Sequence, residues 1–350
     1  MTASIEWNNQ LKLSLSDVDE TIADVYTPAE PEMVAELSSF LQDGHKLFMV
    51  TGGSLGRVRA GITDFIEPAL RHNILVSHCS GAEVWGFTDN GELRDKPFYS
   101  IYEETFSPEL KKLWRDKTQE LLAEFGLRTH PVEPKIEFRK KFSHPLDIMF
   151  DDRGPQITLE VVNGVDMTQE QVAELEHDIP ETHGSLDLRI PILERAEQIF
   201  EQAGVPVTPR LGGNFALDLA IKGVSKTTSI ERVLQDPAVL STIGLTAEDI
   251  RDIHTIEVWG DKFSIIRGGT DRHMSEAVPP QVRSIDFREE NPAEFEEGYN
   301  VVVWDGERHL HHGLLEYLQS RRRSSSVSYL LTLHFMAKYC LVDSITLTKP

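Results

Sequence analysis

The sequence predicts an α/β protein: a mainly parallel sheet with helices on both faces, interrupted by an inserted α+β unit. Short apolar runs alternate with stretches of helical period as far as about residue 95, and again from about 211 to 319. Between them, residues 96–210 carry helical patterns set apart from several strand-like runs, the texture of an α+β unit. At 350 residues the chain has room for about two domains of ~150 residues each. The expected division is therefore a core of 1–95 with 211–319, an insertion of 96–210, and an unassigned tail of 320–350.

The first strand is read from Leu11, Leu13 and Leu15, whose alternation marks a half-buried strand that stops at Asp17-Val-Asp19-Glu-Thr21. In open α/β sheets ligands bind outside the carboxyl ends of the strands, so Asp17 and Asp19 become candidate chemical groups. Met33, Val34, Leu37, Phe40 and Leu41 follow at helical spacing, with Pro31 suited to the first turn and Gly44 to the stop. The apolar run Leu47–Val50 is a buried strand ending in Thr51-Gly-Gly-Ser54. A right-handed crossover sets Thr51 beside Asp17 at one sheet edge. Its hydroxyl can donate to an anion, and Gly52 lets backbone come close to a ligand. Ile74–Val76 reads as a third strand, and Asp89-Asn90-Gly91 as a hairpin turn.

In the insertion, Leu110, Leu113, Trp114, Leu121 and Leu122 give one helix, and Leu193, Ala196, Ile199 and Phe200 another that ends at Gly204. Strand-like runs cover Lys135–Arg139, Leu146–Phe150 and Ile157–Val162. Phe215–Ile221 alternates as the strand returning the chain to the core, and Gly223-Val-Ser-Lys226 opens a helix through Ile230, Val233 and Leu234. An extra helical segment spans Gln235–Asp252. The strand Ile253–Trp259 then runs into Gly260-Asp261-Lys262 and Gly268-Gly-Thr-Asp271. Tyr299–Trp304 is a last strand, Leu314, Leu315 and Leu318 mark a closing helix, and Arg321–Ser326 reads as a linker.

Composition narrows the function classes. A formal charge of -22 disfavours nucleic acid and anionic membrane as partners, because both need clustered Lys and Arg. Cys79 and Cys340 lack metal-ligand spacing, which argues against a disulfide scaffold or zinc site. No basic segment followed by an apolar one opens the chain, and Tyr329–Leu347 carries too many charged groups for a membrane helix, so a cytoplasmic location is expected. Oligomeric state leaves no trace.

Asp17-Val-Asp19-Glu-Thr21, Thr51, Gly223-Val-Ser-Lys226 and Gly260-Asp261 with Asp271 resemble, in order, the four motifs of the haloacid-dehalogenase-like phosphatase superfamily. Gly81-Ala82 and the Asn90-Gly91 turn are similar to the branch of Cof-like and sugar phosphatases and phosphomannomutases, whose large α+β cap lies between the second and third motifs. Ser80 stands where that branch often has Asn, and Thr270 where the fourth motif usually has Asn. The resemblance implies a Rossmann-like core with 96–210 as cap. It implies Asp17 as nucleophile, Asp19 as general acid and base, and Thr51, Gly52 and Lys226 on the phosphate, with Lys222 as the alternative lysine. It also implies Mg2+ held by Asp17, the backbone carbonyl of Asp19, Asp261 and Asp271, with Asp261 ahead of Asp271 because the spacing to the latter is long. Cap residues would select the leaving group, so Arg139 and Lys141, with Lys140 and Arg153, are candidate substrate contacts; solvated edge charge is the competing reading of each. The expected activity is Mg2+-dependent hydrolysis of a small phosphorylated metabolite, a sugar or polyol phosphate. A phosphohexomutase and a non-catalytic binding module are the alternatives.

Overall fold

The computed structural model describes residues 5–175, 177–182, 184–212 and 215–322. The first segment supplies β1 (Leu13–Ser16), β2 (Lys46–Val50), β3 (Ile74–His78), β4 (Glu83–Gly86) and β5 (Tyr99–Ser100). The insertion carries β6 (Arg128–His130), β7 (Asp147–Asp152), β8 (Gln156–Glu160), the small hairpin β9 (Glu181–Thr182) and β10 (Ser185–Leu186), then β11 (Val207–Gly212) and β12 (Ala216–Ile221). The chain closes with β13 (Ile256–Gly260), β14 (Arg283–Asp286) and β15 (Val301–Val303).

The larger sheet has the order β15-β14-β13-β1-β2-β3-β4-β5. Its pairings from β15 to β3 are parallel, and those of β3 with β4 and β4 with β5 antiparallel. Both faces are covered. Leu47, Met49, Ile74, Val76, Trp259 and Ile285 pack under the helix Pro31–Gln42 and the helical residues 310–322. Leu13, Leu15, Phe48, Val50 and Val258 face Ile230 and Val233 of the helix Lys226–Gln235. β1 is therefore buried throughout rather than half-buried: Ser14 and Ser16 lie inside as well, because a central parallel strand has helices on both sides.

The smaller sheet has the order β11-β12-β8-β7-β6. Ile157, Leu159, Leu217 and Leu219 point into one apolar cluster with Trp114, Leu121, Ile192 and Phe200 of the helices Pro108–Glu124 and Arg189–Ala203.

Three expectations are corrected. Lys135–Arg139 is not a strand but the start of the helix Lys135–Lys141, which follows Pro134, buries Phe138 and leaves Ile136 exposed. Phe215–Ile221 does not return the chain to the core. β12 lies between β11 and β8, so the insertion runs past the expected limit of 210 to about 221. Alternation identifies a strand but not its sheet. Arg321 belongs to the closing helical stretch and pairs with Asp43 at 3.0 Å rather than opening a linker; the rest of the expected tail, from 323, lies outside the described residues.

One turn braces the carboxyl-end edge of the core sheet. After β3, Cys79 (φ 50°), Ser80 (φ 58°) and Gly81 (φ 110°) take consecutive left-handed conformations, costly for the first two. The turn is held by Cys79 N–H donating to Gly53 O (3.0 Å), Ser80 N–H to Thr51 O (2.9 Å) and the Tyr99 hydroxyl to Gly81 O (2.9 Å). A Cβ at Gly81 would lie 2.2 Å from Ser225 O, so only glycine lets the turn press against the start of the Lys226 helix. Gly81→Ala is expected to cost more than about 2 kcal/mol, read as a lowered urea midpoint; an unchanged midpoint would show that the two segments are not pressed together.

Candidate active site

Asp17 leaves the end of β1 with its N–H donating to Trp259 O on the neighbouring β13 (2.9 Å). Lys226, in the first turn of its helix, donates to Asp17 Oδ1 at 2.6 Å and to Asp271 Oδ1 at 2.7 Å. Ser225 caps that helix by accepting from Thr228 N–H, which fixes the lysine's starting point. The other oxygen of Asp271 accepts from the N–H groups of Asp261 (2.9 Å) and Lys262 (3.0 Å). A Cβ on Gly260 would lie 2.7 Å from that oxygen, so glycine is needed before Asp261.

Asp261 sits behind them, fully buried. Its Oδ2 accepts from Arg288 Nη2 (2.6 Å) and Nε (3.0 Å), and its Oδ1 from the Thr21 hydroxyl (3.3 Å). Glu20 completes this outer layer by pairing with Arg288 and, at 3.1 Å, with Lys262.

The sequence therefore picked out Asp17, Lys226, Asp261 and Asp271, and the structure brings them together. The last two differ in how they meet the cavity. Asp271 lines the cavity in direct contact with Lys226, whereas Asp261 is covered and tied to Arg288. The long spacing is a loop that folds back on itself, closed by Asp271 N–H donating to Lys262 O at 2.9 Å.

Asp19 is present but engaged, its carboxylate accepting from Arg57 Nη2 at 2.9 Å. Thr51 is buried and its hydroxyl oxygen accepts from Gly53 N–H at 2.9 Å. It lines a small side cavity with Asp19 and Arg57, while Gly52 lines the main one. Arg139 and Lys141 do not line the main cavity. Arg139 donates to Val162 O (2.8 Å) and Lys141 pairs with Glu133, so their expected substrate contacts are corrected. Arg153, expected beside them, does line the cavity and bonds Asp151 at 2.7 Å and Gly52 O of the core at 2.7 Å.

The main cavity has a volume of about 430 Å3 and lies between the two sheets. Asp17, Asp271 and Lys226 form one wall, and Arg153, Glu160, Arg210 and Asp218 of the insertion another. Arg57, Arg288, Glu160, Arg210 and Asp218 were missed from the sequence. The alternation in Ile157-Thr-Leu-Glu160 and Leu217-Asp-Leu219 puts Thr158, Glu160 and Asp218 on the face that lines the cavity.

Electrostatics set the chemistry. Burial, then Asp271, push the Asp17 carboxyl up to about 7 against the opposing pull of Lys226. Burial and the same neighbour raise Asp261. Lys226 loses by desolvation and gains more from Asp17 and Asp271, so it is held charged. Burial, then Asp218, push Glu160 up to about 8. One oxygen from each of Asp17, Asp261 and Asp271 lies within 4.8 Å of the others. Asp17 and Asp271 share one lysine, and Asp261 shares Arg288 with Glu20, so the three need further positive charge to ionise together; an all-oxygen set suits Mg2+. The residues present fit such an ion.

These features stand beside known proteins. The chain is similar to the C. albicans trehalose-6-phosphate phosphatase C-terminal domain at 11% identity, with a TM-score of 0.51 over 88% of this chain and 91% of that one. At that identity the likeness is one of fold, and it agrees with the α/β architecture expected from the sequence. Weaker likenesses are to a trehalose-6-phosphate phosphatase related protein (13% identity, 91% and 100% covered, TM-score 0.49) and an N-terminally truncated Plasmodium falciparum IMP-nucleotidase (12%, 89% and 70%, TM-score 0.44). No family model and no curated sequence matches. Among the described residues no helix is long and apolar enough to cross a membrane.

A pH-dependent response to cation follows. Because the folded-state pKa of Asp17 is raised from 3.8 to about 7, the contribution of this group to stability is fully present below about pH 4 and lost as pH rises through about 7. A cation competes with that proton and relieves the repulsion at higher pH. The rise in melting temperature on adding Mg2+ is therefore expected to grow from pH 6 to pH 8 and to shrink strongly in Asp271→Asn. A shift independent of pH would contradict this assignment.

Proposed function

We infer that the chain is a divalent-cation-dependent phosphohydrolase acting on a phosphate monoester of a small metabolite, through an aspartyl-phosphate intermediate on Asp17. The observation that carries this reading is the buried Lys226 ammonium shared between Asp17 and Asp271 at the wall of a cavity large enough for a small ester. A phosphate monoester repels nucleophiles by its own charge, so catalysis rests on positioning and charge neutralisation. Asp17, Asp261 and Asp271, with the backbone carbonyl of Asp19, would hold Mg2+, which when bound supplies positive charge to the phosphoryl oxygens.

Lys226 orients Asp17 and offers its ammonium to the phosphate. The N-terminus of its helix adds favourable potential, and the missing side chain at Gly52, which lines the cavity, lets backbone come close to the phosphate. A carboxylate oxygen of Asp17 attacks phosphorus; the bond from phosphorus to the ester oxygen breaks, and that oxygen leaves with its electron pair. Asp19 gives it a proton, then takes one from the water whose oxygen attacks phosphorus and releases Asp17. Arg57 holds Asp19 in place through their 2.9 Å contact and must yield when the carboxyl carries a proton. The substrate class, a sugar or polyol phosphate, is supported by the polar lining of the insertion's wall.

Activity is tested with Mg2+ on a panel of phosphate esters that includes a hexose 1-phosphate. Release of free phosphate, its loss in EDTA and its return with Mg2+ are expected; conversion to hexose 6-phosphate without release would favour the mutase alternative, and no reaction a binding module. Asp17→Asn is expected to abolish both turnover and phosphoenzyme formation. Asp19→Ala is expected to slow turnover by about 10²–10⁴ while still trapping phosphate on Asp17. Normal hydrolysis by Asp17→Asn would end the nucleophile assignment.

A further inference from the structure

The face of the smaller sheet turned towards the core is polar and lines the main cavity. Thr158 and Glu160 of β8, Asp218 of β12 and Arg210 of β11 share it, opposite the leucines and isoleucines that pack on the helices. Thr158 and Gln156 donate to Asp218 Oδ1 at 2.7 and 2.9 Å, and Arg153 is taken by Asp151 and Gly52. Two groups are left over. Glu160 is only 2% exposed, lines the cavity and accepts no hydrogen bond from any described residue; the nearest cation, Arg153 Nη2, is 3.8 Å away. Arg210 also lines the cavity, and its Nη2 is buried without a partner while Nη1 makes only a 3.4 Å contact with Val224 O. A buried donor without a partner is costly, and so is a buried carboxyl whose nearest cation stands 3.8 Å away, so a ligand that bonds both would relieve both.

We propose that Glu160 and Arg210 are the residues that read the leaving group, Glu160 accepting from a hydroxyl or ammonium on it and Arg210 donating to one of its oxygens. The proposal deepens the phosphohydrolase reading and rests on it for the identity of the cavity. The wall faces Asp17 and Asp19, so an ester with its phosphate at Lys226 turns the rest of the molecule towards Glu160 and Arg210. An alkyl or aryl ester has nothing to offer either group and leaves both unpaired, which penalises it. A molecule with several hydroxyls, or hydroxyls and an amine, removes both penalties.

The test compares kcat/KM with Mg2+ for a hexose 6-phosphate, the corresponding amino-sugar phosphate and phenyl phosphate. The wild-type chain is expected to prefer the hexose esters. Glu160→Ala is expected to lower the ratio of hexose ester to phenyl ester roughly 10- to 100-fold, and Arg210→Met to lower it in the same direction should Glu160→Ala fail to fold. Glu160→Gln separates the donors: a larger loss for the amino ester identifies ammonium, equal losses identify hydroxyl. A ratio unmoved in folded Glu160→Ala, or a wild-type preference for phenyl phosphate, overturns the proposal. Failure of the phosphohydrolase reading looks different, as no ester is turned over by the wild-type chain. Calorimetric binding of the same esters to Asp17→Asn then decides: a preference for the hexose esters that Glu160→Ala removes supports the proposal, and no such preference overturns it.

Discussion

The contact on which this molecule depends is the ammonium of Lys226 wedged between Asp17 and Asp271, both nearly out of reach of water. Burying a carboxylate is unfavourable, and burying two side by side more so, unless a cation lies between them. Lys226 can fill that role only if three distant segments converge. β1 delivers Asp17, the loop after its parallel neighbour β13 delivers Asp271, and the helix after β12 delivers the lysine. Adjacent parallel strands end on the same side, so their carboxylates must crowd; the helix then points its positive end at them.

A second layer keeps that arrangement from relaxing. The left-handed turn at Cys79 and Ser80 ties the backbone of Thr51 and Gly53 to the turn itself, and Gly81 brings it against Ser225, one residue before the lysine. The loop carrying Gly52 and the helix carrying Lys226 are thus referenced to one rigid object. At Ser80 the work of this turn is done by the backbone, whose N–H donates to Thr51 O. From the other side, Arg153 of the insertion grips Gly52 O, so the two sheets meet at the loop that lines the cavity.

Much of this was legible in the sequence, and the parts that were not have physical causes. β1 ending in Asp-Val-Asp, β2 ending in Thr-Gly-Gly, and Gly-Val-Ser-Lys opening a helix are local patterns, set by strand and helix period and by capping, so they survive without knowledge of the partners. Pairing is not local. Phe215–Ile221 has the alternation of a strand in either sheet, and only its contacts with Leu159 and Leu211 assign it to the insertion. The same holds for charge. Arg139, Lys141 and Arg153 are alike in sequence, yet Arg153 is directed to the cavity because it follows β7 at the sheet edge facing the core, whereas the other two ride a short surface helix. Arg57 and Arg288 gave no signal because each acts through a carboxylate far away in the chain.

Arg288 shows what the outer layer contributes. Asp261 is the most deeply buried of the three clustered acids, and burial alone would keep it protonated and useless as an anionic ligand. The guanidinium holds one oxygen, Oδ2, through two hydrogen bonds, and the Thr21 hydroxyl is the protein donor on Oδ1, the oxygen that remains for an ion. Arg288 is in turn shared with Glu20, itself paired with Lys262, so its charge is partly spent before it reaches Asp261. Full neutralisation of Asp261 by the arginine would weaken its pull on a cation, and none would leave it protonated. An arginine divided between two acids lies between these limits, stabilising the carboxylate while leaving net negative charge facing Asp17 and Asp271. The acidic cluster is therefore balanced short of neutrality by the protein itself, and the remaining negative charge is what a divalent cation would offset.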